Sequence, residues 1–412
     1  MKSKILILAG RPIGSIELVN KAKEMGLYTI VADYLPISES PAKAIADEAW
    51  DISTAEIDEL VKKCREENVT AVSTGVHEFN INRLLELTSA LLLPCYCTPN
   101  TWIYCDDKIQ FKQLCVSHDI PVARKYEIDK MGDAVYPIIT KPVDGSGSRG
   151  FHICHNEEEL HTAYEDAKSC SPTGRVLIED YIPYDAVIIH YTMVHGKCYY
   201  SGMSDKVSVQ FASTGSSVMG IQTFPSKGEQ IYLETLDERV RGMFETAGFT
   251  DGPIWIESFY DGKNKFVFNE MGYRFGGSLT YFPVRFFYGI DQLELFINAA
   301  LGNSEIPILK RTEDSRKYCI LPIHIHAGTI TSISGMEAVR EIPNFYAFAP
   351  VHYVGDKIEE WGSARQVFGY LHVLYDTIDD LKDTIHEVLQ LLSAKDVDGS
   401  NLLYTLFDVD SL

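Results

Sequence analysis

Long hydrophobic runs are missing from this sequence. Its first apolar segment, Lys-Ile-Leu-Ile-Leu-Ala-Gly at 4–10, is far short of the roughly 20 residues that span a bilayer, and too short for an export signal. It reads as a buried strand. Positive charge is scarce: 37 Lys and Arg stand against 58 Asp and Glu, a formal net charge of −21. Such a field repels polyanions and excludes nucleic acid and anionic membrane surfaces as partners. A nucleotide remains permitted, because a local group of Lys, Arg, backbone N–H and Mg²⁺ outweighs distant charge. No C-x-x-C pair occurs among the nine cysteines, at 64, 95, 97, 105, 115, 154, 170, 198 and 319. They read as reduced, mostly buried thiols of a cytoplasmic protein, and Cys95-Tyr-Cys97 has no second pair with which to hold a metal. Internal repeats and low-complexity tracts are also absent, which leaves no sign of a solenoid or a disordered tail.

Two nucleotide signatures are lacking as well. Gly10-Arg-Pro-Ile-Gly14 follows the first strand, and Asp33 ends the second. The glycine spacing is not G-x-G-x-x-G, and Pro12 removes an N–H that would face a phosphate, so these glycines read as a tight turn in a Rossmann-like unit. No Walker A motif occurs either: in Pro137-Ile-Ile-Thr-Lys-Pro-Val-Asp-Gly-Ser-Gly-Ser-Arg-Gly150 the lysine precedes the glycines.

What is present is a chain of 412 residues, enough for two or three domains. The first hundred residues alternate strands at 4–9, 28–32 and 71–74 with helices at 15–25 and 55–67, the first helix ending at Gly26. That rhythm predicts a parallel sheet faced by helices. Thr98-Pro-Asn100 reads as a turn and 106–117 as a helix. From 320 onward a smaller β-rich unit closes with a helix over 380–393.

Chemistry concentrates in three places. Lys141 ends a strand, and Gly145, Ser146, Gly147, Ser148 and Gly150 follow it; without bulky side chains such a loop brings consecutive N–H groups onto an anion. Val176-Leu-Ile-Glu-Asp-Tyr-Ile-Pro183 runs from an apolar strand into an acidic pair. Ile254–Tyr260 and Lys265–Glu270 are β-prone runs joined by Asp261-Gly-Lys-Asn264. With a four-residue loop Glu257 faces Phe268 and lies diagonal to Glu270, so both carboxylates share one sheet face. They repel unless a cation sits between them, and Mg²⁺ suits carboxylate and phosphate oxygens. His324-Ile-His326 also alternates on one face, but without a third ligand these read as hydrogen-bonded histidines, as do His152 and His155. The aromatic run Tyr281, Phe282, Phe286, Phe287 and Tyr288 reads as core or pocket wall.

In this order the motifs resemble the ATP-grasp superfamily over most of the chain, with the closest similarity to carboxylate–amine ligases such as L-amino-acid ligases and to carbamoyl-phosphate-synthase-like proteins. The resemblance implies a mixed α/β and α+β fold: a Rossmann-like domain at 1–100, a two-lobed ATP-grasp domain at 101–305 and a biotin-carboxylase-like lobe at 306–412. It implies that Lys108 and Lys141 reach the ATP phosphates under the 145–150 loop as a lid. Glu179 would accept from the adenine amino group, the backbone at Asp180 and Ile182 would complete the adenine contacts, and Asp185 would hold the ribose in place of the usual glutamate. Glu257 and Glu270 would bind Mg²⁺, or Mn²⁺ in its stead, and Arg274 would face the acyl phosphate. Gly272 stands where the family's E-x-N-x-R segment has its asparagine. The implied activity is ADP-forming ligation of a small carboxylate to an amine, with a homodimer as the candidate assembly. Two other readings stay open: phosphorylation of bicarbonate, as in biotin carboxylase or carbamoyl-phosphate synthase, and a non-catalytic ATP-binding module. Lys206 and the 213–217 segment are expected near the second substrate.

Overall fold

The computed structural model describes residues 2–11, 13–132, 134–144, 149–303 and 313–412. The phosphate-loop residues Gly145, Ser146, Gly147 and Ser148 and Pro12 lie outside the described residues.

The N-terminal sheet is parallel, in the order Glu48–Trp50, Tyr28–Ala32, Lys4–Leu8, Ala71–Thr74. Its strands are near-continuous buried runs of Ile, Leu and Val, as a sheet covered on both faces requires. Helix Ser15–Glu24 packs beside it, and Gly26, at φ +79°, turns the chain out of that helix. Asp33 is spent inside the fold: its carboxylate accepts from the Gly10 N–H (2.8 Å) and the Ser40 hydroxyl (2.7 Å) and pairs with buried Lys43. A Cβ at Gly10 would lie 2.2 Å from Ser40 Oγ. That glycine is there so the turn can close on Asp33, which agrees with the tight-turn reading.

The helix expected over 106–117 is Lys108–Val116, and a further helix that was not expected, Pro99–Asp106, precedes it. Thr98 is a helix cap: its hydroxyl accepts from the Thr101 N–H and Pro99 takes the first helical position. The turn residues at 98–100 therefore open a helix. Extended Asp107 separates the two and caps the second by accepting from the N–H groups of Ile109 and Gln110.

A four-stranded antiparallel sheet follows, in the order Lys125–Tyr126, Val176–Asp180, Ile138–Pro142, His152–Cys154, with helix Glu157–Cys170 over it. The largest sheet runs Phe266–Gly272, Gly252–Tyr260, Asp185–Val194, Lys197–Gln210, Ser217–Phe224, Lys317–Ile325, Val367–Tyr375, Phe345–Pro350. Strand Ser217–Phe224 pairs antiparallel with Lys317–Ile325, so one sheet carries across position 305 into the C-terminal part. The closing helix is Ile378–Leu391. The aromatic run at 281–287 packs with Tyr318 and Tyr346, as core. Among the described residues no helix is long and apolar enough to cross a membrane.

Candidate active site

The site forms where the edge of the large sheet meets the antiparallel sheet, and the hairpin at that edge supplies its centre. Asp261 closes the hairpin by accepting from the N–H groups of Lys263, Asn264 and Lys265 with one carboxylate oxygen. Tyr260 pairs with Phe266, so the loop holds one residue more than expected. A β-bulge between Glu257 and Ser258 shifts the register again, and Glu257 faces Glu270 directly instead of Phe268. Two shifts of one residue restore the parity. Both carboxylates therefore share a face, as expected, at closer quarters than the diagonal placement allowed.

The bulge leaves Asn269 as the unpaired residue and turns it into the site. Its amide donates to Glu257 Oε1 (2.8 Å) and accepts from Lys141 Nζ (2.7 Å). Lys206 Nζ lies 2.5 Å from the other Glu257 oxygen, and Lys108 Nζ lies 3.8 Å from Glu270 Oε2. Behind Lys141, Glu179 pairs with it (2.6 Å) and with Lys112 (2.8 Å), which also donates to the Phe268 carbonyl (3.3 Å). The result is a continuous line in which charges alternate and one neutral amide bridges them: Lys112, Glu179, Lys141, Asn269, Glu257, Lys206.

Burial by itself would raise the carboxyls in this line. At Glu179 the charges of Lys141 and Lys112 prevail and hold it below its ordinary range. At Glu257 the charge and hydrogen bond of Lys206, with the Asn269 amide, do the same. Glu257 in turn raises Lys206 above its usual value against the opposing effect of burial. Lys112 goes the other way: burial lowers it, and the like charge of Lys141 adds to that against the pull of Glu179. One carboxylate between two ammoniums leaves the more deeply placed one under-compensated.

Arg274 leaves the same hairpin strand. One guanidinium nitrogen pairs with Glu78, at the start of helix Glu78–Leu91 in the N-terminal unit (2.7 Å), and the other donates to the Phe275 carbonyl (2.9 Å). The guanidinium lies over the Trp255 ring, 5.1 Å from its centroid. Trp255 also explains Gly272, its pairing partner: a Cβ there would meet the indole at 2.4 Å. The asparagine of the E-x-N-x-R pattern has no room at this position. Gly272→Ala is expected to cost about 1–3 kcal/mol by overpacking, read by chemical denaturation, and Gly272→Ala with Trp255→Leu to recover most of it.

The remaining expected residues are placed as follows. Glu179, expected at the adenine amino group, instead turns its carboxylate between two lysines and is only 2% exposed. Asp180 accepts from the Tyr126 hydroxyl, Ile182 is half-buried just beyond the strand end, and Asp185 is exposed at the start of strand Asp185–Val194. Lys206, expected near a second substrate, is at the carboxylate pair, while Thr214 donates to the Gly362 carbonyl and ties its segment to the C-terminal part. His324 is buried against Phe211 and Tyr404, which pushes its imidazole down to about 4. Sequence reasoning passed over Lys112, Glu78, Trp255 and Asn269. Lys108 and Lys112 share a helix face at i, i+4, a usable signal; Asn269 had none, because only the bulge exposes it.

These residues fit Mg²⁺ and a polyphosphate. No group of three or more His, Cys, Asp or Glu comes together as a metal site among the described residues. A site of two carboxylates completed by substrate oxygens is how Mg²⁺ is usually bound beside phosphates. The ammoniums of Lys108 and Lys206 lie against the pair, that of Lys141 reaches it through Asn269, and Arg274 Nε is buried with no hydrogen-bond partner among the described residues, a donor suited to an anion.

Residues 107–188 match the family model of the carbamoyl-phosphate synthase L chain ATP binding domain. The chain has the ATP-grasp fold. Its ATP-grasp architecture superposes on the biotin carboxylase domain of Hydrogenobacter thermophilus 2-oxoglutarate carboxylase, determined with MgADP, ADP and bicarbonate, at a TM-score of 0.77 and 19% identity, covering 98% of this chain and 92% of that one. The L-amino acid ligase of Bacillus licheniformis matches at 0.72 and 17%, covering 95% and 98%. In sequence, the formate-dependent phosphoribosylglycinamide formyltransferase of Sulfurisphaera tokodaii is 26% identical over 194 residues, 44% of this ATP-grasp chain and 47% of the relative. The chain thus spans about half the length of that curated relative.

Proposed function

We propose that this chain is an ATP- and Mg²⁺-dependent ligase that activates a carboxylate as an acyl phosphate and passes the acyl group to an amine, releasing ADP and phosphate. The observation that carries the reading is the Glu257–Glu270 pair set among Lys108, Lys141 and Lys206. That is the charge pattern of a divalent ion with a polyphosphate.

In this reading Lys108 and Lys141 hold the phosphates, and Glu179 keeps Lys141 aimed. The backbone at Asp180 and Ile182 receives the adenine and Asp185 the ribose. Glu257 and Glu270 hold Mg²⁺, which supplies Lewis-acid neutralisation of the transferring phosphoryl group; the same oxygen set accommodates Mn²⁺. Arg274, desolvated between Trp255 and Glu78, stabilises charge developing on the acyl phosphate. The division at 1–100, 101–305 and 306–412, a cytoplasmic setting, a homodimeric assembly and small-molecule substrates belong to the same proposal.

The likeness to an L-amino acid ligase and to a formate-dependent formyltransferase supports a carboxylate donor with an amine acceptor. The test is ADP release measured across panels of carboxylates and amines, with bicarbonate as a separate arm. Release that requires both a carboxylate and an amine supports the reading. Release with bicarbonate alone favours the carboxylase-like alternative, for which the bicarbonate bound in the carboxylase neighbour speaks. Nucleotide binding without turnover in any arm would mark a non-catalytic module.

A further inference from the structure

The family pattern places an asparagine two residues after the second metal glutamate, and this chain has none there. Trp255 fills the space above Gly272, so an asparagine at 272 is sterically excluded. The bulge opposite Glu257 brings a different amide to the same carboxylate pair. Only one orientation of the Asn269 amide is chemically consistent. The NH₂ must face the Glu257 carboxylate, which only accepts, and the carbonyl oxygen must face the Lys141 ammonium, which only donates.

We propose that Asn269 is the positioning residue of the metal site, its amide tying the phosphate-binding Lys141 to the metal-binding Glu257 and standing in for the asparagine that Trp255 displaces. The inference rests on the reading of this site as one for Mg·ATP. Its consequence is a coupling. Glu257 has two oxygens: one is fixed by Asn269 and the other faces Lys206. Fixing the first presents the second to a cation, which then competes with the Lys206 ammonium. Lys141 is held independently by Glu179. Loss of the amide should therefore be felt at the metal and hardly at the nucleotide alone.

The test uses the full chain with ADP as probe and Mn²⁺ as a spectroscopic substitute for Mg²⁺. Mn²⁺ binding to the enzyme–ADP complex is followed by electron paramagnetic resonance, and metal-free ADP binding by calorimetry. For N269L the expected result is Mn²⁺ affinity about tenfold weaker, the scale of losing a partner that orients a metal ligand, with metal-free ADP affinity changed less than about twofold. N269D keeps the acceptor for Lys141 but sets a third carboxylate beside Glu257. It is expected to bind Mn²⁺ more tightly than wild type and to melt at a lower temperature without metal. This second variant keeps the test decisive if N269L does not fold. Wild-type Mn²⁺ affinity in both variants overturns the proposal, as does a loss in N269L that is equal for metal-free ADP and Mn²⁺. A wild-type chain that binds no Mn²⁺ in the presence of ADP overturns the Mg·ATP reading itself and this inference with it.

Discussion

Glu179→Gln is expected to remove about 3–5 kcal/mol of folding stability, a large share of the whole for a typical domain. The substitution conserves volume, so packing is not the cause. Glu179 is the shared counter-ion of Lys112 and Lys141, both buried, and a neutral amide leaves two desolvated ammoniums with carbonyl acceptors but without that counter-charge. The pH dependence separates this account from a packing defect. Glu179 is held below its ordinary value in the folded chain, so its contribution is fully present above the unfolded carboxyl value. That contribution is lost as pH falls through the folded value, and the two proteins should converge in acid. On the alkaline side Lys112, already lowered by burial, sheds its proton more readily once its partner is gone. The deficit should therefore also narrow as pH rises above neutrality. Urea unfolding at a series of pH values measures both limbs. A deficit that stays constant across pH would point to packing. Glu66→Gln is a suitable control: its pair with Lys62 is exposed and spans 4.0 Å, and its loss should cost less than about 0.5 kcal/mol.

That buried trio also shows where the sequence was legible and where it was not. Strands such as 28–32 and 71–74 were readable because a short run holding Val, Ile or Thr between turn residues has few alternatives. The basic and acidic residues of the site were readable because charges at strand ends beside a glycine loop are costly unless used. Their partnerships were not. The sequence neighbours of Glu179 resemble the family hinge and suggest an adenine ligand; nothing in them points to Lys141 and Lys112, which each pair with one of its oxygens, Lys112 from a helix over sixty residues earlier. The hairpin register was wrong by two residues, one from the loop and one from the bulge, and the period of two cancelled the error. The shared face of Glu257 and Glu270 thus survived a mistaken pairing, while Asn269, whose role exists only because of the bulge, stayed hidden. Helix Pro99–Asp106 stayed hidden because Thr98-Pro-Asn100 reads as a turn, although a capping Thr followed by Pro equally opens a helix.

Glu257 and Glu270 face each other across the hairpin, yet their glutamine variants are expected to behave differently, and the difference tests the metal assignment more sharply than activity alone. Each variant should lower Mg²⁺-dependent ADP formation by about 10²–10³-fold in kcat, the scale of losing one group that stabilises developing charge. Their stabilities should diverge. Glu257 is the partner of Lys206 and is hydrogen-bonded to Asn269, so Glu257→Gln leaves an ammonium under-compensated and lowers the metal-free melting temperature. Glu270 is more open, its side chain 36% exposed and its nearest ammonium, that of Lys108, at 3.8 Å. Glu270→Gln removes a like charge set directly opposite Glu257 and should leave the metal-free protein as stable as wild type, or more so. Added Mg²⁺ should then raise the melting temperature of wild type in the presence of ADP, and do so markedly less for Glu270→Gln, because a cation held by one carboxylate binds more weakly than one shared by two. Differential scanning calorimetry with and without Mg·ADP reads all of these shifts. Wild-type turnover in Glu270→Gln, together with an undiminished Mg²⁺ shift, would remove Glu270 from the metal site and leave Glu257 with Lys206 as an ordinary buried ion pair.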